Sequence, residues 1–131
     1  MQGRASRTHR ELIVWQKAIC LAVRVHQVTE AFPRAERFGL VSQLRRAAVS
    51  VPSNIAEGSA RRTTRDFLAF LHVARGSLTE IETQLLIAQR VGYLSEDGYR
   101  MLEASCAEVG RLLTSVIAAL RAKLGNPTRR E

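Results

Sequence analysis

The chain has few side chains suited to catalysis or metal binding, and their spacing argues against both. A four-helix bundle that holds a di-iron site uses Glu-x-x-His motifs on two helices, and the sequence contains no such motif. His26 falls in an apolar stretch, His72 on a polar helix face and His9 near the N-terminus, so we do not expect them to converge. Cys20 and Cys106 lie in helical patterns without a close-spaced metal motif. We therefore expect no enzyme activity, no metal, no cofactor and no small-molecule substrate.

The most unusual segment is RRAAVSVPSNIAEGSARR, residues 45–62, where a proline interrupts a helical pattern of small residues. Pro52 lacks a backbone donor, so we expect it to bend the helix and to free the carbonyl of Ala48. Gly58 is placed to end the helix as its cap. We interpret the segment as a structural hinge and an assembly surface, not as an active site. The residues assigned to this role are Arg46, Ser50, Pro52, Asn54, Glu57 and Gly58.

Hydrophobic periodicity predicts four helices that position these groups. The first two cover about 11–30 and 38–57, the third begins at the capping sequence TTRD, and the fourth runs from the cap Ser95 to about 124. The short linkers favour antiparallel neighbours. The predicted fold class is therefore all-α, an antiparallel up-down-up-down four-helix bundle. Its domain limits are a flexible basic tail at 1–10, the bundle at 11–124 and a flexible tail at 125–131.

The positive charge is concentrated in arginine and, by this topology, at one end of the bundle. The net charge is +8, and of 20 basic residues only Lys17 and Lys123 are lysine. The planar arginine fork pairs with phosphate, and a positive pole attracts a nucleic-acid backbone. A GC-rich genome and the need for solubility are the alternative explanations. The residues predicted to contact nucleic acid are Arg4, Arg7, Arg10, Arg61, Arg62, Arg65, Arg121 and Lys123.

Helices one and three are apolar over more than one face, which indicates a second partner. Gly76 in mid-helix costs about 1 kcal/mol relative to alanine, a cost that close backbone approach commonly offsets. We therefore expect a homo-oligomer, the alternative being an irregular bundle that uses these faces internally. The predicted interface residues are Val14, Leu21, Val25, Ala69, Val73, Gly76 and Ile87.

Two long stretches of the chain carry a family resemblance. FPRAERFGLVSQLRRAAVSVPSNIAEGSAR and DFLAFLHVARGSLTEIETQLLIAQRVGYL resemble the four-helix-bundle proteins encoded in intervening sequences of bacterial 23S ribosomal RNA genes, the S23 family. The resemblance runs from about Trp15 to Leu120. It implies an up-down bundle, commonly assembled as a ring-like pentamer, with no known catalytic activity. The family is also similar to the basic, pentameric accessory variability proteins of diversity-generating retroelements, which work with a reverse transcriptase and its RNA.

These observations predict a non-catalytic oligomer that binds RNA, of the ribosomal-RNA-associated type. The alternatives are an accessory scaffold for a reverse transcriptase and its RNA, and a purely protein-binding oligomer. The N-terminal sequence MQGRASRTHRE is not followed by an apolar segment of signal-peptide type, and no apolar run approaches the length of a membrane span. We therefore expect a bacterial cytoplasmic protein without a membrane partner.

Overall fold

A computed structural model describes residues 9–125, except for the side chain of Arg10, and shows a bundle of four helices. Helix α1 packs against α2, α2 against α3, α3 against α4, and α4 returns to α1. No strand occurs in this part of the chain, and the predicted all-α four-helix bundle is confirmed. The predicted tails lie largely outside the described residues. The helices are α1 (Ile13–Thr29), α2 (Leu40–Ser59), α3 (Thr64–Arg90) and α4 (Glu96–Gly125), with 3-10 turns at His9–Glu11 and Arg34–Glu36.

Side-chain caps fix where three of the helices begin. The hydroxyl of Thr63 accepts a hydrogen bond of 3.1 Å from the backbone N–H of Asp66 at the start of α3. Ser95 does the same for Gly98 at the start of α4, at 3.0 Å. At α2 the carboxylate of Glu36 accepts from the N–H of Leu40. Each cap satisfies a backbone donor that has no partner inside its own helix.

The face of α1 that packs into the core differs from the one predicted. Val14, Leu21 and Val25 are 2%, 1% and 0% exposed, so they belong to the core and are not available to a subunit interface. Ile19 and Val23, by contrast, are exposed. The prediction was wrong because α1 is apolar on two adjoining faces, and helical periodicity does not state which face turns inward. The small Ala18 lies between Val14 and Leu21 on the buried face.

Gly58 does not cap α2, contrary to the sequence prediction. The helix continues through Gly58 to Ser59, and Ala60 is its cap. A methyl group at Gly58 would lie 2.7 Å from Cβ of Phe70 and 2.9 Å from Cδ1 of Phe67, both on α3. Glycine is therefore required here by the close approach of two helices.

Candidate nucleic-acid interface

One end of the bundle brings together cationic side chains from two parts of the sequence. The turn between α2 and α3 contributes Arg61 and Arg62, the first turn of α3 contributes Arg65, and the end of α4 contributes Arg121 and Lys123. The helices are antiparallel, so the beginning of α3 and the end of α4 lie side by side. We call these five residues the basic end.

Arg61 is one member of the basic end that is already engaged by the protein. Its Nη2 lies 3.1 Å from Oε2 of Glu57, one turn earlier, and its guanidinium lies 4.7 Å above the ring centre of Phe70. Both partners of the ion pair are about half exposed, so the pair adds only a few tenths of a kcal/mol to stability. The contacts nevertheless hold Arg61 against α3 and neutralise part of its charge.

Arg62 and Arg65 are exposed, and neither has an ion-pair partner among residues 9–125. Asp66 is next to Arg65 in sequence, but its backbone N–H is bound to Thr63 and it lies in the first turn of α3, where a negative charge suits the helix dipole. The guanidinium groups of Arg62 and Arg65 are therefore open to an external anion.

His72 joins the basic end, and sequence reasoning missed it. Nη2 of Arg121 on α4 lies 3.2 Å from Nε2 of His72 on α3. Leu78 on α3 faces Gly110 on α4, and Arg75 faces Thr114, so the two helices are in antiparallel register. The same register could have been deduced from the apolar residues on the facing sides of α3 and α4. It would have placed His72 near the last turns of α4. Lys123, two residues after Arg121 on α4, is half-buried.

The remaining residues predicted to contact RNA precede α1. Arg4 and Arg7 lie outside the described residues, and so does the side chain of Arg10. Of the predicted nucleic-acid-binding residues, the structure therefore describes the side chains of Arg61, Arg62, Arg65, Arg121 and Lys123.

The residues around Pro52 join α2 to α3 through a polar contact. Nδ2 of Asn54 donates to the backbone oxygen of Ser50 at 2.8 Å and to its hydroxyl at 2.9 Å. The hydroxyl of Ser77 on α3 donates to the Ser50 hydroxyl at 2.8 Å. The side chain of Asn54 therefore donates to the carbonyl of Ser50. It does not donate to the carbonyl of Ala48, which Pro52 was expected to free. Pro52 itself is buried within α2.

The neighbouring groove between α2 and α3 contains Arg46 and has a polar lining. Gln43 and Gln84 are joined across it by a hydrogen bond of 3.3 Å, and Oε1 of Gln84 is a buried acceptor with no partner in the described chain. Phe38 at the rim of the groove is 90% exposed. Arg46 is thus placed on the outer side of α2, away from the basic end.

The sequence of this helical unit matches a known family model. The model of the 23S rRNA-intervening sequence protein matches residues 10–115, most of the chain. The chain belongs to this family.

A solved member of the S23 ribosomal protein family supports the same fold. The crystal structure of a protein of unknown function from Bacteroides thetaiotaomicron VPI-5482 is 25% identical in sequence and superposes with a TM-score of 0.73. The similarity covers 80% of this chain and 98% of that one. No curated protein matches the sequence of this chain.

Outside the basic end, the groups considered for chemistry in this 23S rRNA-intervening sequence family protein are separated. Burial, reinforced by the charges of Glu82 and Glu103, raises the pKa of Cys106 to about 12. His26 is tied through Nδ1 to the carbonyl of Ala22 at 3.1 Å. Within residues 9–125, no group of three His, Cys, Asp or Glu side chains is arranged to hold a metal ion, and none of the helices is long and apolar enough to cross a membrane.

Four residues predicted at a subunit interface lie on the outer face of α3, which they share with the exposed Glu80 and Thr83. Ala69 and Gly76 are exposed, and Val73 and Ile87 are 52% and 47% exposed. A methyl group at Gly76 would meet nothing within 4 Å, so no contact inside the described chain requires glycine there.

Proposed function

We propose that the protein is a non-catalytic homo-oligomer that binds RNA, of the ribosomal-RNA-associated type, through its basic end. The observation that carries the proposal is the pair of open guanidinium groups of Arg62 and Arg65, at the end of the bundle to which α4 also brings Arg121. Membership of the 23S rRNA-intervening sequence family supports RNA as the partner.

The surface favours contacts to the phosphate backbone over recognition of bases. Arginine binds phosphate through two parallel hydrogen bonds, and each neutralised phosphate releases counterions. Base recognition in single strands depends largely on stacking against aromatic side chains. The most exposed aromatic ring in the described chain, Phe38, lies at the opposite end of α2 from the basic end. We therefore expect RNA binding that depends strongly on salt and weakly on sequence.

The test is the salt dependence of RNA binding by a triple variant, R62A/R65A/R121A. The logarithm of the binding constant should fall with the logarithm of the salt concentration by about 0.7 to 0.9 per phosphate contact. Fluorescence anisotropy with a labelled RNA hairpin measures this slope. The variant should bind more weakly, and its slope should be shallower by about two units.

A matched control removes the same charge elsewhere, in R90A/R100A/R111A. These arginines are exposed and lie outside the basic end. The control should keep a slope within about half a unit of the parent protein, since no phosphate contact is lost. Equal slopes for the two triple variants, or tight binding that ignores salt, would contradict the proposal.

The oligomeric part of the proposal is supported by the outer face of α3. Exposed Val73 and Ile87 lie on this face with Gly76. Exposed apolar side chains and a glycine on one helix face suit close packing against a second copy. The ring-like pentamer of the S23 family is the expected assembly.

A further inference from the structure

A cleft at the end of the bundle opposite the basic end is lined by three arginines. It encloses about 300 Å³, close to the lower limit of small-ligand pockets. The last turn of α1, the connection to α2 and the first turns of α2 form its walls. Its lining residues are Thr29, Glu30, Phe32, Pro33, Arg34, Arg37, Val41 and Arg45, and we call it the Arg45 cleft.

The protein holds Arg45 in one position before any ligand arrives. Its Nε donates to the hydroxyl of Thr29 at 2.9 Å, and its Nη2 donates to the carbonyl of His26 at 3.2 Å. Thr29 is 3% exposed and is itself fixed by donating to the carbonyl of Val25 at 2.7 Å. A guanidinium that is already ordered loses little further conformational entropy when it binds an anion.

The other amino group of Arg45, Nη1, has no acceptor in the part of the chain that the structure describes. The second contact of Nη2 is with Oε2 of Glu30, at 3.2 Å. The Glu30 side chain is 78% exposed, so this ion pair is weak and its carboxylate is free to turn into water. Arg45 therefore retains hydrogen-bond donors for a ligand.

The charge of the cleft favours an anion that carries more than one negative charge. Arg34 and Arg37 are exposed and have no ion-pair partner among residues 9–125, although Arg37 lies 5.9 Å from the ring centre of Phe38. Glu30 is the acidic residue in the lining. The nearby Glu36 is directed elsewhere, because it accepts from Leu40 and from the hydroxyl of Tyr93 at 2.8 Å.

The lining of the cleft is mostly polar and includes two largely buried apolar side chains. Phe32 and Val41 are each 7% exposed. Charged groups beside buried apolar side chains interact more strongly than they do in open water. An anion attached to a larger organic group suits the combination of three guanidinium groups, two neighbouring apolar side chains and this volume.

We propose that the Arg45 cleft binds a phosphate monoester, either the 5′-phosphate at the end of an RNA strand or that of a free mononucleotide. A monoester carries close to two negative charges at neutral pH and three terminal oxygens. A backbone phosphodiester has one charge and two such oxygens, so it matches three guanidinium groups less well. The proposal does not depend on RNA binding at the basic end.

The test is titration of the full-length, ¹⁵N-labelled protein with adenosine 5′-monophosphate and with adenosine. The monophosphate should shift the amide signals of Thr29 and Val41 and the Nε signal of Arg45, whereas adenosine should not. Calorimetry of R34A/R37A should show at least about tenfold weaker monophosphate binding, because two charged donors are lost. The matched variant R62A/R65A, with the same change of charge at the basic end, should retain binding within about threefold.

Two short RNAs that differ in carrying a 5′-phosphate or a 5′-hydroxyl distinguish the source of the ligand. A shift of the same cleft signals by the phosphorylated strand alone assigns the cleft to RNA ends. A response to the mononucleotide without one to either strand supports the proposal with a nucleotide as ligand. No difference between monophosphate and adenosine, signal shifts confined to the basic end, or equal weakening in both double variants would overturn it. Urea unfolding should confirm that R34A/R37A remains folded, as both side chains are exposed.

Discussion

Gly58 and Gly110 both lie within helices, but their surroundings give opposite expectations for alanine. A methyl group at Gly58 would be 2.7 Å from Cβ of Phe70, so α2 and α3 would have to move apart. We expect Gly58→Ala to reduce the free energy of unfolding by about 1 to 3 kcal/mol, as for other overpacked sites. Urea denaturation followed by circular dichroism measures this change.

Gly110→Ala is the matched control for this prediction. A methyl group there would lie 3.5 Å from Cδ2 of Leu78, an ordinary contact. Alanine should raise the stability of α4 by up to about 1 kcal/mol through its better helix propensity. Equal effects of the two substitutions would show that Gly58 is not a point of close helix approach.

The two cysteines should differ sharply in their reactivity. Cys20 is exposed, whereas Cys106 is buried and its pKa is raised to about 12. The thiolate is the reactive form, so at pH 8 Cys106 is almost entirely an unreactive thiol. A thiol reagent such as DTNB should modify one group per chain rapidly, and Cys20→Ser should abolish this reaction. The second group should react after unfolding in guanidinium; rapid modification of the folded Cys20→Ser variant would contradict the assignment.

At the scale of elements, α2 and α3 are joined by a buried polar contact as well as by apolar packing. Ser77 is 7% exposed and donates to the hydroxyl of Ser50 at 2.8 Å. Ser77→Ala should lower the free energy of unfolding by about 1 kcal/mol, the usual net value of such a bond. Ser53→Ala, on the exposed side of α2, should leave it unchanged or raise it slightly. Thermal unfolding of the two variants provides the measurement, and equal stability would argue against the contact.

The elements also show which features periodicity predicts. In α4 the apolar residues repeat on one side only, and the structure buries that side, including Leu102, Val109 and Leu113. In α1, apolar residues cover two adjoining faces, and the packing of the other three helices determines that Val25 is buried and Val23 exposed. Gly58 illustrates the same limit, since a cap and a close helix contact both favour glycine.

At the scale of the whole molecule, the predicted grouping of arginines at one end rests on topology alone. Antiparallel helices with short connections place the beginning of α3 beside the end of α4. The contacts of these arginines could not be predicted from topology, because they depend on side-chain conformations in the folded chain. Examples are the contacts of Arg61 with Glu57 and Phe70 and the contact of Arg121 with His72. The Arg45 cleft was missed because Arg34 and Arg37 lie in the connection between α1 and α2, whose conformation helical periodicity does not predict.

Assembly through the outer face of α3 gives the last prediction. The double substitution Val73→Gln/Ile87→Gln removes two apolar side chains without changing the net charge. Both side chains are about half exposed in the folded chain, so their loss should leave the core intact. The variant should therefore keep its helical circular dichroism but dissociate toward monomers. Sedimentation equilibrium at micromolar concentration measures the mass of both proteins.

The control Ile13→Gln/Met101→Gln removes comparable apolar surface elsewhere, since these residues are 55% and 59% exposed and lie outside α3. It should keep the mass of the parent protein. Gly76→Ala adds an independent test: its new methyl group meets nothing within 4 Å inside the chain, so it should stabilise a monomer by up to about 1 kcal/mol. In an oligomer that packs closely at Gly76, the same methyl group should weaken association. A monomeric parent protein, or a Gly76→Ala variant that associates as strongly as the parent, would exclude this face as the interface.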